Sequence, residues 1–85
     1  MAMGTLAAMV RSLSAKFDEL ESGATCPGDW VRLHAAVMRA AIAARQQVAC
    51  MCPSEQERET LGELVDQLFF MKLGAEAHLA VEQAR

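Results

Sequence analysis

The sequence predicts an all-α protein, an elongated antiparallel three-helix bundle forming a single helical domain over residues 1–85, on three observations. Apolar residues recur at alternating steps of three and four from Met3 to Leu20. Residues 30–52 hold seven alanines, three arginines and no acidic residue. Two proline-marked helix starts, Cys26-Pro27-Gly28-Asp29 and Cys52-Pro53-Ser54-Glu55, divide the chain into thirds. Alanine is the best helix former, and its small side chain lets a neighbouring helix approach closely.

The first helix is expected over residues 3–22. Met3, Leu6, Val10, Leu13, Phe17 and Leu20 make a narrow stripe of the coiled-coil kind, and Arg11, Ser12, Ser14, Asp18, Glu19 and Glu21 fall off it. Gly23 stands where a left-handed cap would close the helix. The second helix is expected over residues 27–51, because proline suits the first helical position and Asp29 suits the positive N-terminal end. Its apolar side reads Trp30, Leu33, Val37, Ala41, Ala44 and Val48, broadened by Met38 and Ile42. Arg32, Arg39 and Gln46 mark its wet side, and Pro53 disfavours helix at the residue before it.

The third helix is expected over residues 54–83, opened by the capping box Ser54-x-x-Glu57. Leu61, Leu64, Val65, Leu68, Ala75 and Leu79 make its stripe. Such a helix is roughly 45 Å long if straight, whereas a compact chain of this length has a radius of gyration of about 12 Å. Either the bundle is elongated, or the last helix projects or breaks near Gly74. Short connections make sequential helices antiparallel neighbours. The alanine-rich helix is then the middle of a sandwich, with Leu13, Phe17, Leu64 and Leu68 closing in on it.

Composition narrows the function classes. A net charge of −3 argues against a dedicated binder of nucleic acid or anionic membranes. No run of about 18 apolar residues is present, so no membrane span is expected. The start MAMGTLAAMV lacks the basic n-region of a signal peptide. Three cysteines make an odd count, and long helices need no disulfide staple, so a reducing, cytoplasmic home is expected.

Chemistry-bearing residues are sparse. Cys50-x-Cys52, with Cys26, His34 and His78, lacks the paired spacing of a structural zinc site, and no metal is expected. His34, one turn after Trp30, either stacks on the indole or makes a polar contact at the bundle edge. No nucleophile, base and pocket combine in the sequence. We therefore expect no catalytic residue, no cofactor and no enzyme activity.

Binding to another protein is the remaining expectation. Phe69, Phe70 and Met71 are consecutive, so on a helix they cover about 200° and one core-facing stripe cannot absorb all three. Either their helix is wedged between two others, or one of them faces a partner. Arg32 and Arg39 share a face, while Arg45 lies well round the helix. These charges either steady the bundle against its acidic flanking segments, at under about 1 kcal/mol per pair, or dock an acidic partner. The stripe Leu6, Val10, Leu13 and Phe17 is narrow and regular enough for helix-in-groove recognition. Met3, Met9, Met38, Met51 and Met71 suit a pliable interface as well as a core.

The run from Leu20 to Trp30, LESGATCPGDW, resembles the hinge of the small helical co-chaperones of bacterial type III secretion. In that family a heptad-patterned first helix ends in a glycine-containing turn. A proline and then an aromatic residue open a second helix rich in small apolar residues. Gly23, Pro27, Trp30, Val37 and Ala44 occupy comparable positions, and the resemblance covers residues 6–50. The second helix, acid-free beyond Asp29, and the long third helix with its Phe pair depart from the family. The resemblance implies a heterodimer with a TPR-like chaperone that holds the needle subunit soluble, the first helix lying in the partner's groove.

The function expected is thus a small protein–protein interaction module, an adaptor or co-chaperone holding a bacterial partner soluble or inactive, as a hetero- or homo-oligomer. Two alternatives stand beside it. One is a phage- or bacterium-encoded inhibitor docking on a larger protein machine. The other is a self-assembling helical subunit with Phe69, Phe70 and Met71 as its seam.

Overall fold

Helices form where the apolar stripes and caps lie. The computed structural model describes residues 3–23, 26–50 and 54–83. In it α1 spans Met3–Ser22, α2 Pro27–Cys50 and α3 Glu55–Gln83, with no strand among the described residues. The expected end of the second helix at Met51 lies outside them.

The caps explain the starts of α2 and α3. At α2, the Cys26 N–H donates to Asp29 Oδ2 at 3.0 Å, and the Asp29 N–H donates to the Cys26 carbonyl at 3.0 Å. At α3 the capping box closes both ways. The Glu57 N–H donates to Ser54 Oγ at 3.2 Å, and the Ser54 N–H donates to Glu57 Oε1 at 3.1 Å. Hydrogen bonds from the Ser54 backbone and hydroxyl hold the Glu57 carboxyl below the usual carboxylate range.

Two outcomes follow from this cap. Ser54→Ala is expected to cost about 1 kcal/mol in urea unfolding, the ordinary value of an N-cap. A carboxyl whose folded pKa is lowered adds stability that is complete above its unfolded value. That contribution fades as pH falls past the ordinary glutamate value of 4.5 and through the lowered folded one. Glu57→Gln should flatten that acid limb of the stability curve. An unchanged limb would show that the cap carries no proton linkage.

The end of α1 departs from expectation. Gly23 has no positive φ, so no left-handed cap forms there. Instead the Ser22 hydroxyl donates to the Glu19 carbonyl at 3.2 Å, satisfying one of the terminal acceptors that such a cap would serve.

One core runs the length of the bundle. Leu6, Val10, Phe17 and Leu20 enter it from α1, Trp30, Leu33, Val37, Ala40 and Ala44 from α2, and Leu61, Leu64, Leu68, Met71 and Ala75 from α3. The α2 and α3 sets keep the alternating three-and-four step of a straight seam, and the half-buried Leu13 completes it on α1. The α2 seam differs from the expected side, because stepping on from Val37 leads to Ala40, Ala44 and Gln47 rather than Ala41 and Val48. Gln47 is accordingly buried at 5% exposure, whereas Val48 and Ile42 are half exposed. Val65 likewise lies off the α3 seam and is exposed.

α3 is unbroken, and the bundle is elongated, measuring 46 × 19 × 17 Å with a radius of gyration of 14.0 Å. Gly74 is not a break point. It lies under the Phe17 ring, where a β-carbon would stand only 2.5 Å from Phe17 Cζ. α1 therefore meets α3 directly as well as α2, so the three helices form a triangle and α2 is not the middle of a sandwich.

Candidate protein-docking surface

The seam steps leave bulky apolar residues on the outside of α2 and α3. Met38 and Ile42 on α2 face Val65 and Phe69 on α3 across a groove that, among the described residues, is lined by these two helices alone. Val37, Ala41 and Leu68 form its floor beside the core. Ile42 and Phe69 are 51% and 58% exposed, so the groove is open to solvent. It encloses about 240 Å³, below the roughly 300 Å³ at which small-molecule sites begin. A protruding side chain fits it better than a cofactor.

Two cations stand at the groove, Arg45 toward one end and Lys72 toward the other. Antiparallel α2 and α3 set this diagonal, since Arg45 lies beside the Val65 turn and Lys72 beside the Met38 turn. Lys72 Nζ is already engaged, 3.3 Å from Glu76 Oε2. His34 Nε2 lies 3.2 Å from the same oxygen. The His34 hydrogen bond, followed by that of Lys72, holds the Glu76 carboxyl below its usual range.

A second cleft lies on the other side of α3, between it and α1. Phe70 sits on its edge at 72% exposure, with Asp18, Glu21 and Asp66 along the same cleft. The two flanks of α3 thus carry opposite charge around two neighbouring phenylalanines.

At the hinge end the aromatic residues are used internally. Phe17 meets Trp30 edge-on, with centroids 5.4 Å apart and planes at 81°. His78 stacks on the opposite helix's indole, 4.0 Å from Trp30 and inclined by 6°. His34 takes the polar contact at the bundle edge, and the stacking histidine comes from α3.

The candidate partner residues separate sharply. Leu6, Val10 and Phe17 are buried in this chain's own core, Leu13 packs against that core, and Met71 is also buried. The four buried residues are not available to a partner's groove, because the chain's own helices cover them, whereas Leu13 is half-buried and lines the α1/α2 groove. Phe69 and Phe70 are the exposed members of their triplet, on different flanks of α3. Arg39 is exposed in the shallow groove between α1 and α2, away from both phenylalanines. Arg32 is exposed and turned back to Asp29, at 3.1 Å.

Ile42 and Val65 were not among the expected site residues, while Met38 and Arg45 stood only among several interface methionines and docking arginines. Their signal was the surplus apolar width of α2 and α3 beyond a single seam. Among the described residues no three His, Cys, Asp or Glu side chains group as metal ligands, and no helix is long and apolar enough to cross a membrane. Cys26 is an exposed free thiol, while Cys52 and the Cys50 side chain lie outside the described residues.

The fold defines an all-α three-helix bundle protein with an uncovered apolar groove between two of its helices. Compared with family models, curated proteins and solved structures, the chain gives no significant match in any of the three.

Proposed function

We propose that this chain is a small protein-binding module, an adaptor or co-chaperone that keeps a bacterial partner soluble or inactive. The observation supporting it is the α2/α3 groove, where Met38, Ile42, Val65 and Phe69 present adjoining apolar surface to water. Exposed contiguous apolar surface of this kind marks interaction sites in soluble proteins. Methionine at the groove suits a surface that adapts to its ligand. A cytoplasmic home goes with the reading, as an odd count of three cysteines on long helices needs no disulfide framework.

The resemblance to secretion co-chaperones enters only through the hinge. A partner of that kind would meet this chain on α2 and α3, since the α1 stripe is already covered. Capture from a bacterial lysate, with the bound protein identified, tests the reading when run in parallel on Phe69→Asp. The parent should retain a partner and the variant should lose about tenfold or more of it while keeping its helical circular dichroism. Equal capture by both would remove the groove from the binding surface.

A further inference from the structure

The groove has an uncovered apolar floor and two cations, which narrows the occupants it can take. Arg45 has no ion-pair partner among the described residues, whereas Lys72 is shared with Glu76. An occupant must therefore bring a bulky apolar side chain and, about one turn from it, a carboxylate for Arg45. From Met38 to Arg45 the groove runs about 10 Å at the rise of an α-helix. That length takes one anchor and its flanking charge.

The matching surface is on the same chain. Phe70, 72% exposed, is the most exposed large apolar side chain among the described residues. Asp66 precedes it by one turn on the same face of α3, and residues four apart on a helix are neighbours. Asp18 and Glu21 of α1 border the same edge and add negative charge.

We propose that the α2/α3 groove is filled by a second copy of this chain. The α3 edge of that copy inserts Phe70 beside Phe69, and its Asp66 pairs with Arg45. The incoming α3 then runs antiparallel to the host α2, the arrangement α2 already has with its own α3. Because groove and edge are different surfaces of one molecule, the contact is head-to-tail and each copy can both accept and donate. This rests on the reading above only for the groove, and a partner protein would compete with the second copy for it.

Sedimentation of the full chain across concentration tests the proposal. The parent should show association that grows with concentration, and Arg45→Glu and Asp66→Arg should each lower the association constant by about tenfold or more. Both positions are exposed, and circular dichroism melting of each variant serves as the folding control. The decisive sample is an equimolar mixture of the two variants. Each variant groove then meets an edge of opposite charge, so association should return toward the parent value. Single variants that associate like the parent, or a mixture that stays dissociated, would overturn the charge pairing and with it the proposal. A parent that stays monomeric at every concentration would overturn self-association while leaving partner capture through Phe69 intact.

Discussion

Gly74→Ala lowers the stability of this protein by up to about 2 kcal/mol, while Gly62→Ala raises it by about 1. In a helix interior alanine is favoured over glycine by about 1 kcal/mol, and both glycines lie inside α3. Their surroundings decide the sign. A β-carbon at Gly62 meets nothing within 4 Å. At Gly74 it would stand 2.5 Å from Phe17 Cζ and 2.9 Å from Cε2. The Phe17 ring has little room to yield, because it is buried and packed edge-on against Trp30, which is itself stacked on His78. Overpacking a filled core costs about 1–3 kcal/mol, enough to outweigh the propensity gain. Shrinking the ring should reverse the result, so in a Phe17→Leu background Gly74→Ala becomes neutral or favourable. Urea unfolding of the four variants measures this. If Gly74→Ala raises the midpoint as Gly62→Ala does, the close approach of Phe17 is wrong.

Gln47→Leu should stabilise the bundle by about 1–3 kcal/mol. The Gln47 side chain is buried at 5% exposure on the α2 seam, and among the described residues neither Nε2 nor Oε1 has a hydrogen-bond partner. A buried amide without partners carries its full desolvation cost, about 1–3 kcal/mol, and an apolar side chain of similar volume removes it. Gln46→Leu is the matched control. Gln46 is exposed on the wet side of α2, so its replacement should stay within about 0.5 kcal/mol of the parent. The comparison removes the helix-propensity term, since both changes replace glutamine by leucine in one helix. Equal effects at 46 and 47, or a loss at 47, would mean that the amide finds partners in the folded protein.

Much of the fold was legible along the chain, and the reasons are local. The capping box at Ser54 and Glu57 needs only residues three apart, and it formed as read. Apolar steps of three and four gave three helices with bounds within a residue or so over the described segments. Errors arose where two neighbouring positions competed for the interior. On α2, polarity favoured Val48 over Gln47, yet the seam between α1 and α3 advances to 47. On α1, the same regularity that suggested a partner's groove turned out to serve α2 and α3. Among Phe69, Phe70 and Met71, the need for an outward-facing residue was legible, but not which one turned inward.

Sequence alone determined that this protein is three amphipathic helices with defined starts and a surplus of apolar surface. Periodicity, caps and helix propensity act over one or two turns, and no other part of the chain is needed to read them. Tertiary packing decided which stripe is spent on the core and which remains in water. It also turned Gly74 from an apparent weak point into the seat of the Phe17 ring. That decision rests on distances between residues far apart in sequence, Phe17 with Gly74 and Trp30 with His78, which no local pattern encodes. The alanine-rich α2 shows both sides of this division. Its composition marks it as a helix to be packed against, and only the triangle of helices leaves Met38 and Ile42 facing Val65 and Phe69 across an open groove.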